Sequence, residues 1–456
     1  MKTGEVIEIK IEKLDATGKG VAKPDGFVIF VQGAIPGQKL KVKIIKRKKN
    51  YAEASIVEVI EKSPIEKEPL CSVFPQCGGC SWQTVPYEEQ VKIKESLVKE
   101  MLTHIGGLDI TIKPIIASPV NIFYRNKMEF SFGSNEQNEA VLGMHERGYF
   151  SKIVEIKDCI LQSVESNKLV GFFSTFARKS GLPVYNNKIH SGFMRHLIIR
   201  EGKNTNERMV NFVTTSHILP TWQNDFLNEF NIFLKKENIG VNSLLHTIND
   251  KVSDIAFGDK IKVLYGKEYI NEKIGDLLFK ISPYSFFQTN SAAAFLLYKK
   301  IEELAACDKA TSVLDLYCGT GGIGLFLAKN AKIVMGVDSF AGSIHDAREN
   351  AKLNNIFNAE FFAADTKKFI QDLASRKFYA DIIIVDPPRE GLNSKVIQIL
   401  SILNPKKIIY VSCNPATMSR DLSSLSSFEF QTSEIQPLDL FPHTPHIECV
   451  ASLVRK

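Results

Sequence analysis

The periodicity of apolar residues changes twice along the 456-residue chain. From Gly4 to Val59 apolar and polar positions alternate, as in Val6, Ile9 and Ile11, then Phe27, Ile29 and Val31, then Leu40, Val42 and Ile44. Gly18, Gly20, Pro24-Asp25-Gly26 and Pro36-Gly37 interrupt the alternation. A period of two buries one face of a strand, and short strands with tight turns within about 60 residues predict a small β-barrel. Residues 61–70, with Pro64 and Pro69 among mixed charges, read as a linker. A helix is predicted from about Tyr87 to His104. From Ile110 to about Ile281 the pattern is mixed α+β, with strands over Met194–Arg200 and Met209–Thr214 flanking the polar turn Glu201–Asn206. After Ile281, short apolar runs ending in small or acidic residues (Ser312–Tyr317, Ile333–Asp338, Asp381–Asp386, Ile408–Cys413) alternate with helical stretches. That alternation predicts a parallel, doubly wound α/β sheet whose ligands sit at the carboxyl ends of its strands. The division expected is therefore 1–60, 61–281 and 282–456, with no internal repeat.

Composition narrows the class. No run approaches the ~18 apolar residues that cross a bilayer, and Met1–Lys10 lacks a signal-peptide core, so a cytoplasmic protein without a membrane partner is expected. Eight cysteines at irregular spacing in such a chain argue against a disulfide framework and for thiol, metal or catalytic use. Residues 1–62 carry 13 Lys and Arg against 8 Asp and Glu, whereas residues 282–456 carry 18 of each. The positive excess of the first segment suits either a handle for polyanions or a solvated lysine-rich surface. Lys46-Arg47-Lys48-Lys49 falls at a predicted turn beside Tyr51, a ring able to stack on a base. This stretch resembles the TRAM domain, an OB-like barrel appended to several RNA-modifying enzymes.

The string Asp315-Leu316-Tyr317-Cys318-Gly319-Thr320-Gly321-Gly322-Ile323-Gly324 leaves a strand and opens a helix. Such a glycine-rich turn lets a ligand approach the backbone, and dinucleotide enzymes share it. Three further positions sharpen the reading. Asp338 ends the second strand, where ribose hydroxyls would lie; Asp365 follows the third apolar stretch, suited to an adenine edge; and Asp386-Pro387-Pro388-Arg389 follows the fourth strand. Together these resemble the class I methyltransferases, which bind S-adenosylmethionine, more than an NAD enzyme.

In adenine and guanine N-methyltransferases an aromatic residue stands where this chain has Arg389. The alternative chemistry lies in Ser412-Cys413-Asn414-Pro415, which puts a thiol at the carboxyl end of the fifth strand. A lone cysteine there is more often a packing residue. Carbon 5 of uracil, however, is a poor nucleophile until a thiolate adds at carbon 6, which needs an activated cysteine and a base for the carbon 5 proton. Glu448, opening the last strand, offers that base; Asp386 offers a partner for the uracil edge; Ser285–Asn290 offers amides.

In order, Phe286-x-Gln288-x-Asn290, Asp315-Leu-Tyr-Cys-Gly319, Asp386-Pro-Pro-Arg389, Ser412-Cys-Asn-Pro415 and Phe441-Pro-His-Thr444 resemble the bacterial RNA uracil-C5-methyltransferase family, which acts on 23S ribosomal RNA and, in relatives, on transfer RNA. The resemblance spans essentially the whole chain. It implies that Cys413 is the nucleophile and Glu448 the base, that Gln288, Tyr317, Asp338 and Asp386 line the cofactor and base pocket, and that the partner is RNA, with 23S rRNA ahead of tRNA. Family members commonly have Glu where this chain has Asp338 and Asn where it has Gly322. A monomer is expected. A base N-methyltransferase and a non-catalytic RNA-binding assembly factor are the competing readings.

Cys71, Cys77 and Cys80 fall within ten residues and can wrap one metal centre if a fourth ligand comes from elsewhere; an iron–sulfur cluster, zinc and no metal all remain open on spacing alone. The family resemblance implies Cys159 as the fourth ligand and a 4Fe-4S cluster with a structural role. Cys307, Cys318 and Cys449 are expected to be packing residues.

Overall fold

The computed structural model describes residues 1–106, 110–218 and 221–455. The first six strands are β1 (Val6–Lys10), β2 (Lys13–Leu14), β3 (Gly20–Ala22), β4 (Val28–Val31), β5 (Lys39–Arg47) and β6 (Tyr51–Glu61), in the order β1-β5-β6-β4-β3-β2. The two strands at the ends of that order are consecutive in sequence. Between them Ile11 bonds to Gly37 and Gln38 while Glu12 bonds to Val21, so one bent segment closes the sheet into a barrel. Leu40, Val42 and Ile44 of β5 point inward and are fully buried, as the alternation predicted. The basic run does fall at the β5–β6 turn, where the Arg47 guanidinium lies 5.2 Å from the Phe27 ring centre and Tyr51 packs edge-on against Phe30. Residues 62–70 lack regular structure but are not a free tether. Ser63 Oγ donates to the Pro36 carbonyl at 2.6 Å and Gln38 donates to Glu66 at 2.9 Å, strapping the segment to the barrel.

After α1 (Tyr87–Gly106) comes a seven-stranded mixed sheet of β7 (Lys127–Ser134), β8 (Ala140–Glu146), β9 (Tyr149–Glu155), β10 (Met194–Gly202), β11 (Glu207–Thr214), β12 (Ser243–Ile248) and β13 (Lys260–Gly266), ordered β13-β12-β11-β10-β7-β8-β9. The predicted hairpin about Glu201–Asn206 is β10–β11, paired antiparallel. Helices α2 (Val164–Lys179) and α3 (Trp222–Glu237) cover one face through Phe173, Phe226 and Phe230 against Phe130 and Phe212. A two-stranded ribbon, β14 (Ile270–Ile274) and β15 (Leu277–Ile281), leads onward.

The last sheet contains β16 (Ser312–Leu316), β17 (Ile333–Asp338), β18 (Ala359–Ala363), β19 (Ile382–Val385), β20 (Lys407–Ser412), β21 (Phe430–Leu438) and β22 (Glu448–Arg455), ordered β18-β17-β16-β19-β20-β22-β21. The first five are parallel, and β22 inserts antiparallel between β20 and β21. Helices α4 (Ser291–Ala305), α5 (Gly322–Ala328), α6 (Ala341–Leu353), α7 (Thr366–Ser375), α8 (Ser394–Leu403) and α9 (Pro415–Ser426) complete the doubly wound class I methyltransferase fold. Strand β21 is absent from the periodicity reading because Gln431, Ser433 and Glu434 dilute its apolar signal. Trp82, Val85, Leu97, Val98 and Leu102 pack into the core of this last sheet with Leu422 and Leu425 of α9, so α1 belongs physically to the C-terminal unit. No helix among the described residues is long and apolar enough to cross a membrane.

Candidate active site

The glycine-rich turn forms because β16 must reverse into α5 within a few residues. Tyr317 (φ 63°), Gly319 (φ 52°) and Gly321 (φ 81°) all adopt left-handed conformations, and only the tyrosine is strained by doing so. Asp338, at the end of β17, braces the turn: one carboxylate oxygen accepts the Gly319 amide at 3.1 Å and the other accepts the Phe340 amide at 2.8 Å. Asp315 accepts the Gly324 amide at 3.0 Å through one oxygen, while its other oxygen is buried with no hydrogen-bond partner. Burial, reinforced by the charge of Asp386, pushes Asp315 up to about 8, so it carries a proton at neutral pH. The Asn-to-Gly departure at Gly322 has a local cause, since a Cβ there would overlap the Tyr298 hydroxyl.

The other positions expected to meet the cofactor converge on this edge. Asp365 caps α7 by accepting the Lys368 amide at 2.9 Å, and its charge, after burial, holds the Tyr317 hydroxyl above its ordinary pKa. Gln288 lies on the segment between β15 and α4, half-buried, with its carbonyl accepting from the Asn126 side chain at 2.8 Å. Thr320 donates to the Phe286 carbonyl at 3.4 Å, tying that segment to the glycine turn. Asn290 has a different task from the one its motif suggested. Its side chain caps α4 through the Ala293 amide and donates to Ser118 and the Leu440 carbonyl, so it secures architecture.

The thiol and the carboxylate are brought together by strand register. Ser412 pairs with Cys449 at the end of the β20–β22 ladder, and continuing that register one residue brings Cys413 and Glu448 together, close enough for the Glu448 charge to act on the thiol. Asp386, just past β19, anchors its amide to the Leu316 carbonyl at 3.3 Å. Burial drives Glu448 well above the ordinary carboxylate range, with the Asp386 charge adding to it, and burial likewise raises Asp386. Cys413 is only half-buried; desolvation and then the Glu448 charge raise its thiol, whereas Arg389 opposes them. The Arg389 carbonyl accepts from Asn414 at 3.0 Å, and its guanidinium reaches the His446 ring nitrogen at 3.0 Å. Burial takes His446 down to about 4, so that ring is neutral beside the cation.

Cys413 opens onto a groove of about 380 Å³ lined also by Ala16 and Thr17 of the barrel, Met101 of α1, Arg389 and His446. The barrel and α1 residues were invisible to motif reading, because nothing in local sequence links them to a cysteine roughly 300 to 400 residues away. Gly18 allows the barrel to dock here: a Cβ would come within 3.2 Å of both Pro445 and the Trp82 indole nitrogen. The groove wall from Phe441 to His446 is held from behind by α1. Gln90 accepts the His443 amide at 2.8 Å, and Lys94, fully buried, pairs with Asp439 at 2.7 Å and donates to the Phe441 carbonyl at 3.0 Å.

Cys71, Cys77, Cys80 and Cys159 line one small cavity with Gln83 and Arg125. All four are free thiols, and desolvation raises Cys77, Cys80 (to about 12) and Cys159 (to about 11). Among the described residues no group of three or more His, Cys, Asp or Glu side chains is arranged as a metal site. Cys318 and Cys449 are buried in the cores of the last sheet, and Cys307 packs at its margin.

Comparison with known proteins agrees with this geometry. The family model described as tRNA (uracil-5-)-methyltransferase matches residues 86–456, and the TRAM domain model matches residues 1–57. An RNA methyltransferase of Clostridium tetani is 39% identical over 462 residues, covering 100% of this chain and 99% of its own. One from Caldanaerobacter subterraneus subsp. tengcongensis is 38% identical over 453 residues, covering 99% of each. The crystal structure of Pyrococcus abyssi tRNA (uracil-54, C5)-methyltransferase in complex with S-adenosyl-L-homocysteine superposes with a TM-score of 0.78 at 32% identity, covering 98% of this chain and 100% of that one. By sequence, fold and site geometry together, the chain belongs to the tRNA (uracil-5-)-methyltransferase family of S-adenosylmethionine-dependent RNA methyltransferases.

Proposed function

We propose that this enzyme methylates carbon 5 of a specific uridine in RNA through a transient bond between Cys413 and carbon 6 of the uracil. The observation that carries the reading is the register that sets Cys413 opposite Glu448, beside Asp386 and on an open groove. The thiolate adds to carbon 6, shifting electron density to carbon 5. S-adenosylmethionine, when bound, would supply an electrophilic methyl group to carbon 5 and leave as S-adenosylhomocysteine. Glu448 removes the carbon 5 proton, the carbon 6–sulfur bond breaks, and the thiolate is regenerated. Arg389 offsets negative charge on Cys413, and Asp386, which burial keeps prone to protonation, can donate to the uracil edge. The cofactor pocket is assigned to Gln288, Tyr317, Asp338, Asp365 and Asp386.

Cys71, Cys77, Cys80 and Cys159, which line one small cavity, are the residues that would hold a 4Fe-4S cluster. Its chemistry here is structural: it would bind the thiols as thiolates and brace the 71–80 loop. We place 23S rRNA ahead of tRNA as substrate on the combination of barrel and four-cysteine set; the likeness to the Pyrococcus abyssi tRNA (uracil-54, C5)-methyltransferase is what favours tRNA. The enzyme is proposed to act as a cytoplasmic monomer, divided in sequence at residues 60 and 281, with α1 returning to pack on the C-terminal unit. Mapping 5-methyluridine by mass spectrometry in rRNA and tRNA from a deletion strain, complemented by wild type or Cys413→Ala, tests this. One uridine should lose its methyl group, wild type should restore it, and Cys413→Ala should not; restoration by the alanine variant refutes the mechanism.

A further inference from the structure

A cavity of about 440 Å³, larger than the methyl-transfer groove, shares no residue with it. It opens on the face of the central sheet opposite α2 and α3, because residues of β7 alternate: Phe130 and Phe132 enter the helix-covered core and Ser131 faces the other way. Its floor is a connected polar group. Ser131 Oγ lies 3.2 Å from the His145 ring and 3.3 Å from the His196 ring, and His196 lies 3.3 Å from the Asp254 carboxylate. One wall is rigid: Arg195 stacks 4.1 Å over the Tyr185 ring and donates to the carbonyls of Asn249, Lys251 and Ser253, fixing the loop that carries Asp254. Asn186, Asn187, Lys188 and Lys152 form the rim.

The charge of this lining selects its occupant. Three cations, Lys152, Lys188 and Arg195, face one acid, Asp254, whose carboxylate is already engaged by His196 and Asn187. Among the described residues Lys188 has no ion-pair partner, and Lys152 makes a 3.8 Å contact to Glu146 and lies 5.4 Å over the Tyr149 ring, both at the surface. Amides, hydroxyls and a fixed ring beneath a cationic rim are what a phosphate and the edge of a base need. The cavity is also placed for a substrate held elsewhere. Asn126, which binds the Gln288 carbonyl, immediately precedes the strand that reaches Ser131 five residues on, roughly 16 Å away at about 3.3 Å per residue.

We propose that this cavity is a second RNA subsite, seating a nucleotide that flanks the target uridine in the same bound RNA, with Lys152 and Lys188 on its phosphate and the Asn186–Asn187 turn on its base. The proposal rests on the RNA-methylating reading above.

The test is a Lys152→Glu/Lys188→Glu double variant of the full chain, assayed on RNA extracted from the deletion strain. Both lysines are at the surface, so the variant should melt like wild type. Filter binding across a salt series should show affinity lowered about tenfold or more and a salt slope shallower by about 1 to 2, and KM should rise while kcat at saturating RNA stays unchanged. Wild-type affinity and slope in the variant overturn the proposal. So does tight binding of free UMP that the double variant loses without any change in RNA affinity, which would make this a small-nucleotide site. Absence of methyl incorporation by wild-type enzyme would refute the catalytic reading instead, and the binding slopes would still judge the cavity.

Discussion

Lys94→Met isolates the contribution of tertiary structure to this active site. The lysine and Asp439 side chains are both 0% exposed and 2.7 Å apart, and the ammonium also donates to the Phe441 carbonyl. Methionine keeps the volume of the stem and lies beside Trp82 as the lysine does, so the loss is electrostatic: one carboxylate remains in the interior without its cation. Removing one member of a buried pair costs about 3 to 5 kcal/mol. For a cooperative unit the size of the C-terminal sheet and its helices, that is a fall in melting temperature of roughly 6 to 20 °C. Lys94→Met/Asp439→Asn, which keeps an acceptor for the Phe441 amide without the charge, should recover most of the fall. Because Phe441–His446 forms the groove wall just ahead of Glu448, the single variant should also lower kcat at permissive temperature with little change in KM for S-adenosylmethionine, whose turn lies on other strands. Calorimetry of the full chain and initial rates read both effects. Melting within about 2 °C of wild type, or a double variant no more stable than the single one, refutes the reasoning.

Glu448→Gln should permit addition and methylation but stall elimination, so a protein–RNA adduct that requires Cys413 should accumulate on denaturing gels; its absence counts against Glu448 as the base. The pH profile follows from the two groups that must ionise. Burial raises both Cys413 and Glu448 above their ordinary pKa values, so the ionised forms are gained only as pH rises, and kcat/KM should climb with pH and still be climbing at 9.0, the ordinary thiol value. A rate that falls as pH rises contradicts the assignment. Cys159→Ala should yield protein without the brown colour expected of an anaerobic preparation and should destabilise the 71–80 loop; a colourless wild type with stoichiometric zinc would overturn the cluster.

Much of this protein was legible in its sequence because the relevant physics is local. Period-two alternation with Gly and Pro turns is sufficient for the barrel strands, and apolar runs ending in small or acidic residues mark the parallel strands. The motifs at Gly319, Asp386 and Cys413 sit at strand ends because a doubly wound sheet presents its ligands there. The rest required long-range packing. That Cys413 faces Glu448 depends on the antiparallel insertion of β22, which follows a polar strand with no periodic signal. That Ala16, Thr17 and Met101 wall the groove, and that Lys94 can be buried, depends on contacts between residues hundreds of positions apart. Such contacts are selected by the free energy of the whole core, in which no single stretch of chain holds the information. Local sequence names the groups able to do the chemistry; which of them meet is settled by register and docking, and those are properties of paired surfaces.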